Sequence, residues 1–243
     1  MLFRSLLLNN DAVPRSGFVE PLVAVAEADP DVGGVSGKVT TDDNRIWYAG
    51  GHVRVWRAGV WSRGMGEVDA GQYDAPGPTR WVSGGLVLLP RRVVEAVGLL
   101  PEEYFFGFEE YDYSETLLRA GFRLWYEPRS VVYHRVGGSH GNWEPKYLYN
   151  NYRNKLIMAR RLLPRWAVPA WTRAFVAYTK WYSDRWRRKW AAEYSYGNHV
   201  VPDRDRFDFA LREAMADERG GVPLDQDALA AYDRRWRQRT GGT

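Results

Sequence analysis

Between Leu6 and Tyr133, short apolar runs alternate with short amphipathic stretches, and Gly, Asn, Asp or Pro closes each one. Runs of this length read as buried strands, and apolar residues at three- and four-residue spacing read as helices. Leu6-Leu7-Leu8 stops at Asn9-Asn10-Asp11, as at the C-terminal end of a buried strand. Residues 18–28 carry helical spacing through Phe18, Leu22, Val25 and Ala26, and residues 32–39 read as a second strand. Residues 45–63 alternate and contain Gly50-Gly51, which predicts a hairpin or irregular strands. Residues 65–78 are rich in Gly, Pro and Asp and predict a loop. Residues 81–89 predict a strand interrupted by Gly84-Gly85. Helices are predicted over 91–97 and 112–120, ended by Gly98 and Gly121, and strands over 122–126 and 130–133. Strands alternating with short helices build α/β layers.

From Glu144 the texture changes to long helical patterns. Trp171, Phe175, Tyr178, Tyr182 and Trp186 recur at helical spacing, a stripe of the kind that usually faces a core. Residues 201–243 are polar, with one further helix predicted over 225–237. The boundary divides the chain into residues 1–145 and 146–243. The 243 residues contain no cysteine, which excludes disulfides, thiolate metal sites and a cysteine nucleophile. The longest apolar runs are too short to span a bilayer, and Met1-Leu2-Phe3-Arg4 does not read as a signal peptide.

The formal net charge of +4 is unevenly spread. Residues 1–150 carry 15 Lys/Arg against 19 Asp/Glu, whereas residues 151–200 carry 11 against 2 together with five tryptophans. The basic block reads either as a solvated helical face over an aromatic core or as a contact with an anionic surface such as lipid headgroups. No nucleic-acid-binding motif accompanies it.

The stretch Phe105-Phe106-Gly107-Phe108-Glu109-Glu110-Tyr111-Asp112-Tyr113-Ser114-Glu115 sets four acids against aromatics. Carboxylates resist burial unless paired, hydrogen-bonded or metal-bound. Crowded beside aromatics, one of them can hold its proton tightly enough to serve as a general base. Asp112 and Glu115 also suit the start of a helix dipole, which explains Glu109 and Glu110 less well. Asn9-Asn10-Asp11 is either a turn or a set of oxygen ligands for Mg²⁺ or Mn²⁺ at a strand end. His134, after the strand Val131-Val132-Tyr133, is either structural or a metal ligand. Gly84-Gly85 marks tight packing or a close backbone approach to a ligand. Gly137-Gly138-Ser139 reads as a flexible loop.

In this order the pieces resemble the inverting family 2 glycosyltransferases, especially bacterial rhamnosyltransferase-like members, from about Leu6 to about Pro164. Leu6-Leu7-Leu8-Asn9-Asn10-Asp11 resembles the strand and Asp-x-Asp-type metal motif. Trp47-Tyr48-Ala49-Gly50-Gly51 and Gly71-Gln72-Tyr73-Asp74 resemble the middle segment. Val82-Ser83-Gly84-Gly85-Leu86 and the residues after it resemble the donor-sugar strand, and residues 105–119 the acidic block that carries the base. Tyr126-Glu127-Pro128 through His134 resembles the strand that brings a His to the metal, and Tyr152-Arg153-Asn154 a helix motif that follows the catalytic domain.

The resemblance implies a partial GT-A, Rossmann-like α/β fold, a mixed sheet flanked by helices, with a mainly helical C-terminal extension. It implies a Mg²⁺ or Mn²⁺ ion held by Asp11, Asn9 and His134. Glu110 stands at the base position, where the family usually has Asp, so its carboxylate is displaced by about one bond, roughly 1.5 Å. Glu109 matches the preceding acid, and Gly84, Gly85, Asp112, Arg153 and Asn154 fall at substrate-side positions. The implied reaction moves a sugar from a dTDP- or UDP-sugar, with inversion, to a hydroxyl of a glycan or lipid-linked acceptor. It implies a cytoplasmic enzyme, peripheral on the inner face of the membrane, and no nucleic-acid partner.

The family pattern normally starts a β-α-β-α-β half-domain earlier, about 90 residues on the scale of ordinary domains. A chain without those strands is expected to expose a sheet edge and apolar surface near Leu6-Leu7-Leu8. It is also expected to associate with itself or a partner chain and to show poor activity alone. The alternative function is an inactive, glycosyltransferase-like binding or assembly partner.

Overall fold

A computed structural model describes residues 4–41, 43–134, 145–193 and 204–241. Contacts divide the chain into two units, residues 1–101 with 108–139, and residues 102–107 with 140–243.

The first unit is built on a mixed seven-stranded sheet flanked by helices. Strands β1 (Arg4–Leu8), β2 (Ala12–Pro14) and β3 (Val32–Thr40) are followed by β4 (Ile46–Tyr48) and the two-stranded hairpin β5 (Gly51–Arg54) and β6 (Gly59–Ser62). Strands β7 (Gly77–Thr79), β8 (Leu86–Pro90) and β9 (Arg123–His134) complete it. The order is β1-β8-β3-β9-β2, with β4 added on β3 and β7 on β9. β3 and β9 are parallel, and β8 is antiparallel to both β3 and β1. β1, β3 and β9 therefore point the same way and end at one edge of the sheet, the edge at which β8 begins. In α/β sheets that edge is where ligands are bound.

All nine residues of β3 are buried, as a central strand requires. Its glycines let neighbours close in: a Cβ at Gly37 would lie 2.4 Å from the Ser130 carbonyl oxygen and 2.6 Å from Leu86. The β3–β9 register shifts at that point, between Gly37 and Lys38. The predicted strands over 122–126 and 130–133 are one continuous strand. Lys38, on a buried strand, is held by Asp69 at 3.0 Å and by Asp74, both from the loop expected after residue 65.

Helices α1 (Val19–Ala28), α2 (Arg91–Val97) and α3 (Glu109–Arg119) flank the sheet. α2 begins at once after Pro90, a residue that cannot continue the ladder but suits a helix start. Val82, Val87, Leu89, Val93, Tyr113, Leu117 and Leu124 form the core between β8, α2, α3 and β9. β1 has β8 as its single neighbour among the described strands. Leu6 and Leu8 are 39% and 37% exposed.

The second unit is helical: α4 (Pro145–Leu162), α5 (Val168–Glu193), α6 (Arg204–Arg219) and α7 (Gln226–Thr240). Tyr149 of α4 stacks on Tyr232 of α7 at 4.5 Å, and Phe209 of α6 meets Tyr232 and Trp236. The sequence anticipates α7, whose start is capped by Asp225 accepting from the Ala228 amide at 2.8 Å. It does not anticipate α6, although Phe207, Ala210, Leu211 and Ala214, all buried, lie at the spacing of one helix face. The loop predicted at Gly137-Gly138-Ser139 lies outside the described residues.

Candidate active site

The sheet edge formed by the ends of β1 and β9 and the start of β8 brings the chemistry-bearing residues of the first unit together. The β1–β8 register pairs Leu8 with Leu86, and the Asn9 amide donates to the Gly85 carbonyl at 3.4 Å. After the turn at residues 9–11 the chain runs back as β2, antiparallel to β9, with Ala12 opposite His134. That short strand was not evident in the sequence, and it carries Asp11 to the imidazole. Asp11 Oδ1 lies 2.9 Å from His134 Nε2, and the Asn9 side-chain amide lies 3.2 Å from the same nitrogen.

A neutral imidazole nitrogen either donates or accepts, so Nε2 cannot answer both a carboxylate oxygen and an amide N–H. With the Asn9 amide turned over, its oxygen faces the same nitrogen. Two oxygens and one imidazole nitrogen then converge, a donor set suited to Mg²⁺ or Mn²⁺. His134 is buried, its Nδ1 has no hydrogen-bond partner, and the Trp47 ring covers it at 5.1 Å. These residues fit a divalent cation. Among the described residues no group of three His, Cys, Asp and Glu side chains occurs; here the third member is Asn9.

The acids sit opposite. A cavity of about 170 Å³ is lined on one side by Leu7, Leu8 and Asn9 and on the other by Gly84, Glu109, Glu110 and Tyr113. α3 starts at Glu109, three residues before the predicted start, because Phe108 caps it in the left-handed region at φ 79°. That conformation is strained for an aromatic residue and occurs most often where function over-determines the backbone. The Phe108 carbonyl accepts from the Tyr111 and Asp112 amides at 3.1 and 3.0 Å. Tyr111 is wedged between Phe108 and Trp81, with ring centroids 5.0 and 5.2 Å apart.

Glu110 Oε2 is shielded from solvent with no hydrogen-bond partner. Burial, and then the neighbouring Glu109 charge, push the Glu110 carboxyl up to about 8, against a smaller opposing pull from the backbone amides of Glu110 and Phe108. Such a group holds its proton near neutrality and becomes a base just above it. The Glu110 backbone is pinned by Ser114, whose hydroxyl donates to the Glu110 carbonyl at 2.6 Å and accepts from the Val82 amide at 3.1 Å.

Gly84 and Gly85 form the turn before β8 rather than part of the strand. Ser36 fixes that turn, donating to the Leu86 carbonyl at 2.6 Å and accepting from the Ser83 amide at 3.2 Å. A Cβ at Gly84 would stand 3.9 Å from the Glu110 carboxyl carbon, so its small size keeps the space beside that acid open. Asp112 is wholly buried in the first turn of α3, where a carboxylate complements the helix dipole.

Arg153 and Asn154 lie in the second unit. Arg153 is buried and donates to Tyr149 Oη at 3.1 Å and to the Val222 carbonyl at 2.5 Å. Asn154, 1% exposed, donates to the carbonyls of Phe106 and Gly107 at 2.8 and 2.9 Å. Asn150, one helical turn earlier, donates to the Phe106 carbonyl at 2.8 Å. The sequence reading did not single out Asn150, yet its i, i+4 spacing to Asn154 on α4 was there to be seen.

No protein-family model matches the chain. Over 97 residues it is 31% identical to the N-acetylglucosaminyl-diphospho-decaprenol L-rhamnosyltransferase of Mycobacterium tuberculosis, in strains CDC 1551 and H37Rv alike. The match covers 39% of this chain and 32% of the relative, so the chain matches about a third of that protein's length. The similarity is to a glycosyltransferase. The crystal structure of GalNAc-T7 with UDP, GalNAc and Mn²⁺ superposes with a TM-score of 0.49 at 16% identity, over 91% of this chain and 42% of that one.

Proposed function

We propose that this chain carries the metal and acceptor side of a GT-A-type, inverting family 2 glycosyltransferase. The observation that carries the reading is that Asn9 lines the same small cavity as Glu109 and Glu110, while Asn9, Asp11 and His134 converge on one point beside it. The partial similarity to a rhamnosyltransferase supports it.

In this reading Glu110 takes the proton of an acceptor hydroxyl. The hydroxyl oxygen forms a bond to the anomeric carbon from the face opposite the diphosphate, and the bond from that carbon to the phosphate oxygen breaks. Asn9, Asp11 and His134 would hold a divalent cation, whose chemistry is to offset the negative charge of the leaving nucleoside diphosphate. Gly84 and Gly85 leave room for the donor sugar beside Glu110. Glu109 raises the proton affinity of the base, and Asp112 holds the first turn of α3. Asn154 acts through the Phe106–Gly107 backbone that leads into the base, and Arg153 through the packing of α4 that it holds with Tyr149. The donor is a dTDP- or UDP-sugar and the acceptor a glycan or lipid-linked glycan, with rhamnosyl transfer favoured. The place of action is the cytoplasmic side of a membrane. Among the described residues no helix is long and apolar enough to cross one.

The edge of β1 that no described strand covers, with Leu6 and Leu8 exposed, favours a second reading: a non-catalytic partner that binds through this edge. Calorimetric titration of dTDP or UDP with and without Mn²⁺ separates the two. The transferase reading expects Mn²⁺-dependent binding that disappears in Asp11→Ala. Absence of binding under both conditions favours the partner.

A further inference from the structure

α5 is two-faced in a way that its own unit does not use up. On its inward side Trp171, Phe175, Thr179 and Ser183 recur every fourth residue and are all buried. Trp171 stacks on Phe175 at 5.0 Å, and Phe175 meets Tyr152 of α4. The aromatic stripe read from the sequence then leaves the core. Tyr178, Trp181 and Tyr182 are 56%, 57% and 43% exposed, and their rings form one cluster, with Tyr178 5.6 Å from Tyr182 and 6.0 Å from Trp181. Arg185 lies over the Trp181 ring at 5.6 Å.

We propose that this outward face of α5 docks on an anionic lipid bilayer. Adjacent exposed aromatics are unusual on a soluble surface and mark a contact. Trp and Tyr are the side chains that settle at the headgroup level, with apolar rings inward and polar edges in water. The cations select an anionic surface: α5 carries six basic residues against two acidic ones, four of the six in the run Arg185-Trp186-Arg187-Arg188-Lys189. The same charge opposes a second copy as the occupant, since two such faces would repel. The docking needs neither donor nor acceptor, so it stands or falls separately from the transfer reading.

Co-sedimentation of the full chain with mixed phosphatidylcholine–phosphatidylglycerol vesicles tests it, with pure phosphatidylcholine vesicles as the comparison. Binding to the anionic vesicles alone, weakened by added salt, is expected. Arg185→Glu should weaken it by more than about fivefold, from on the order of 1 kcal/mol for a basic side chain near the surface. Trp181→Ala with Tyr182→Ala should weaken it without changing the circular-dichroism spectrum. Two results would overturn the proposal: vesicle binding that Arg185→Glu and the Trp181–Tyr182 double variant both leave unchanged, or no binding to anionic vesicles. Self-association in the ultracentrifuge that Trp181→Ala with Tyr182→Ala abolishes would assign the face to a second copy instead.

Discussion

Asp11 and His134 stand 123 positions apart in the chain, yet Asp11 Oδ1 lies 2.9 Å from His134 Nε2. The contact is made by the three-residue strand β2, which pairs Ala12 with His134. A carboxylate and an imidazole are thus brought together at the end of a parallel strand pair, with the Asn9 side chain on the same nitrogen, and the proposed function assigns a divalent cation to them.

Mn²⁺ should therefore stabilise the chain by about 2.7 kcal/mol at a hundredfold excess over Kd, and its thermal midpoint should keep rising with the logarithm of the Mn²⁺ concentration. Asp11→Ala should abolish that rise, and His134→Ala should reduce it severely. Differential scanning fluorimetry against Mn²⁺ concentration measures both. An unchanged response in Asp11→Ala would remove Asp11 from the site.

Glu110→Gln should lower the transfer rate by about 10²–10⁴, the usual contribution of a general base. Stability should move the other way. The Glu110 proton affinity is higher in the folded chain, so its contribution is complete at pH below the ordinary glutamate value and is lost as pH rises towards about 8. The Gln variant should then melt a few degrees higher than the parent at pH 8, on a scale of about 2–4 °C per kcal/mol, and no higher at pH 4. A variant that loses activity and melts lower at pH 8 would speak for a structural role.

The same shift fixes the pH profile. kcat/KM for the free enzyme should climb between pH 6 and 8 along one limb, because burial and Glu109 keep Glu110 protonated until about 8. Glu109→Gln removes the neighbouring charge and should move that limb to lower pH. A profile that ignores Glu109→Gln would separate the two acids.

Much of the first unit was legible in the sequence because its punctuation is local. Gly98 and Gly121 end helices, Pro90 sits where β8 gives way to α2, and Asn9-Asn10-Asp11 ends β1, each through its own backbone preference. What was not legible depends on partners distant in the chain. β2 exists only against β9, and the merging of the two predicted strands into β9 depends on β3 alongside. The aromatic stripe of α5 was correctly periodic, but periodicity cannot say where a core stops, and Tyr178 and Tyr182 lie beyond it. At the site, the acids at 109 and 110 stood out by composition, whereas the left-handed Phe108 that aims them did not.

Gly84→Ala tests the space beside the base. The added methyl would meet Glu110 only at 3.9 Å, an ordinary contact, so stability should change by less than about 1 kcal/mol. Transfer should still fall, since the methyl fills the approach to the carboxyl. Full activity in Gly84→Ala would remove the glycine from the donor side.

Asn154→Ala leaves the Gly107 carbonyl without its side-chain donor and the Phe106 carbonyl with Asn150 alone, at a cost of about 1–3 kcal/mol. Gly107 leads directly into Phe108, so transfer should drop while the Mn²⁺-induced rise in melting stays. Loss of both together would make Asn154 a general structural residue.

The most direct measurement is the product itself. The chain, Mn²⁺, a dTDP- or UDP-sugar and a lipid-linked glycan acceptor are combined, and the anomeric configuration of the new linkage is read by NMR, with Glu110→Gln alongside. The expected result is a linkage inverted relative to the donor, formed by the parent and not by the variant. Retention of configuration, or equal product from Glu110→Gln, would contradict the assignment of Glu110 as the base of an inverting transfer.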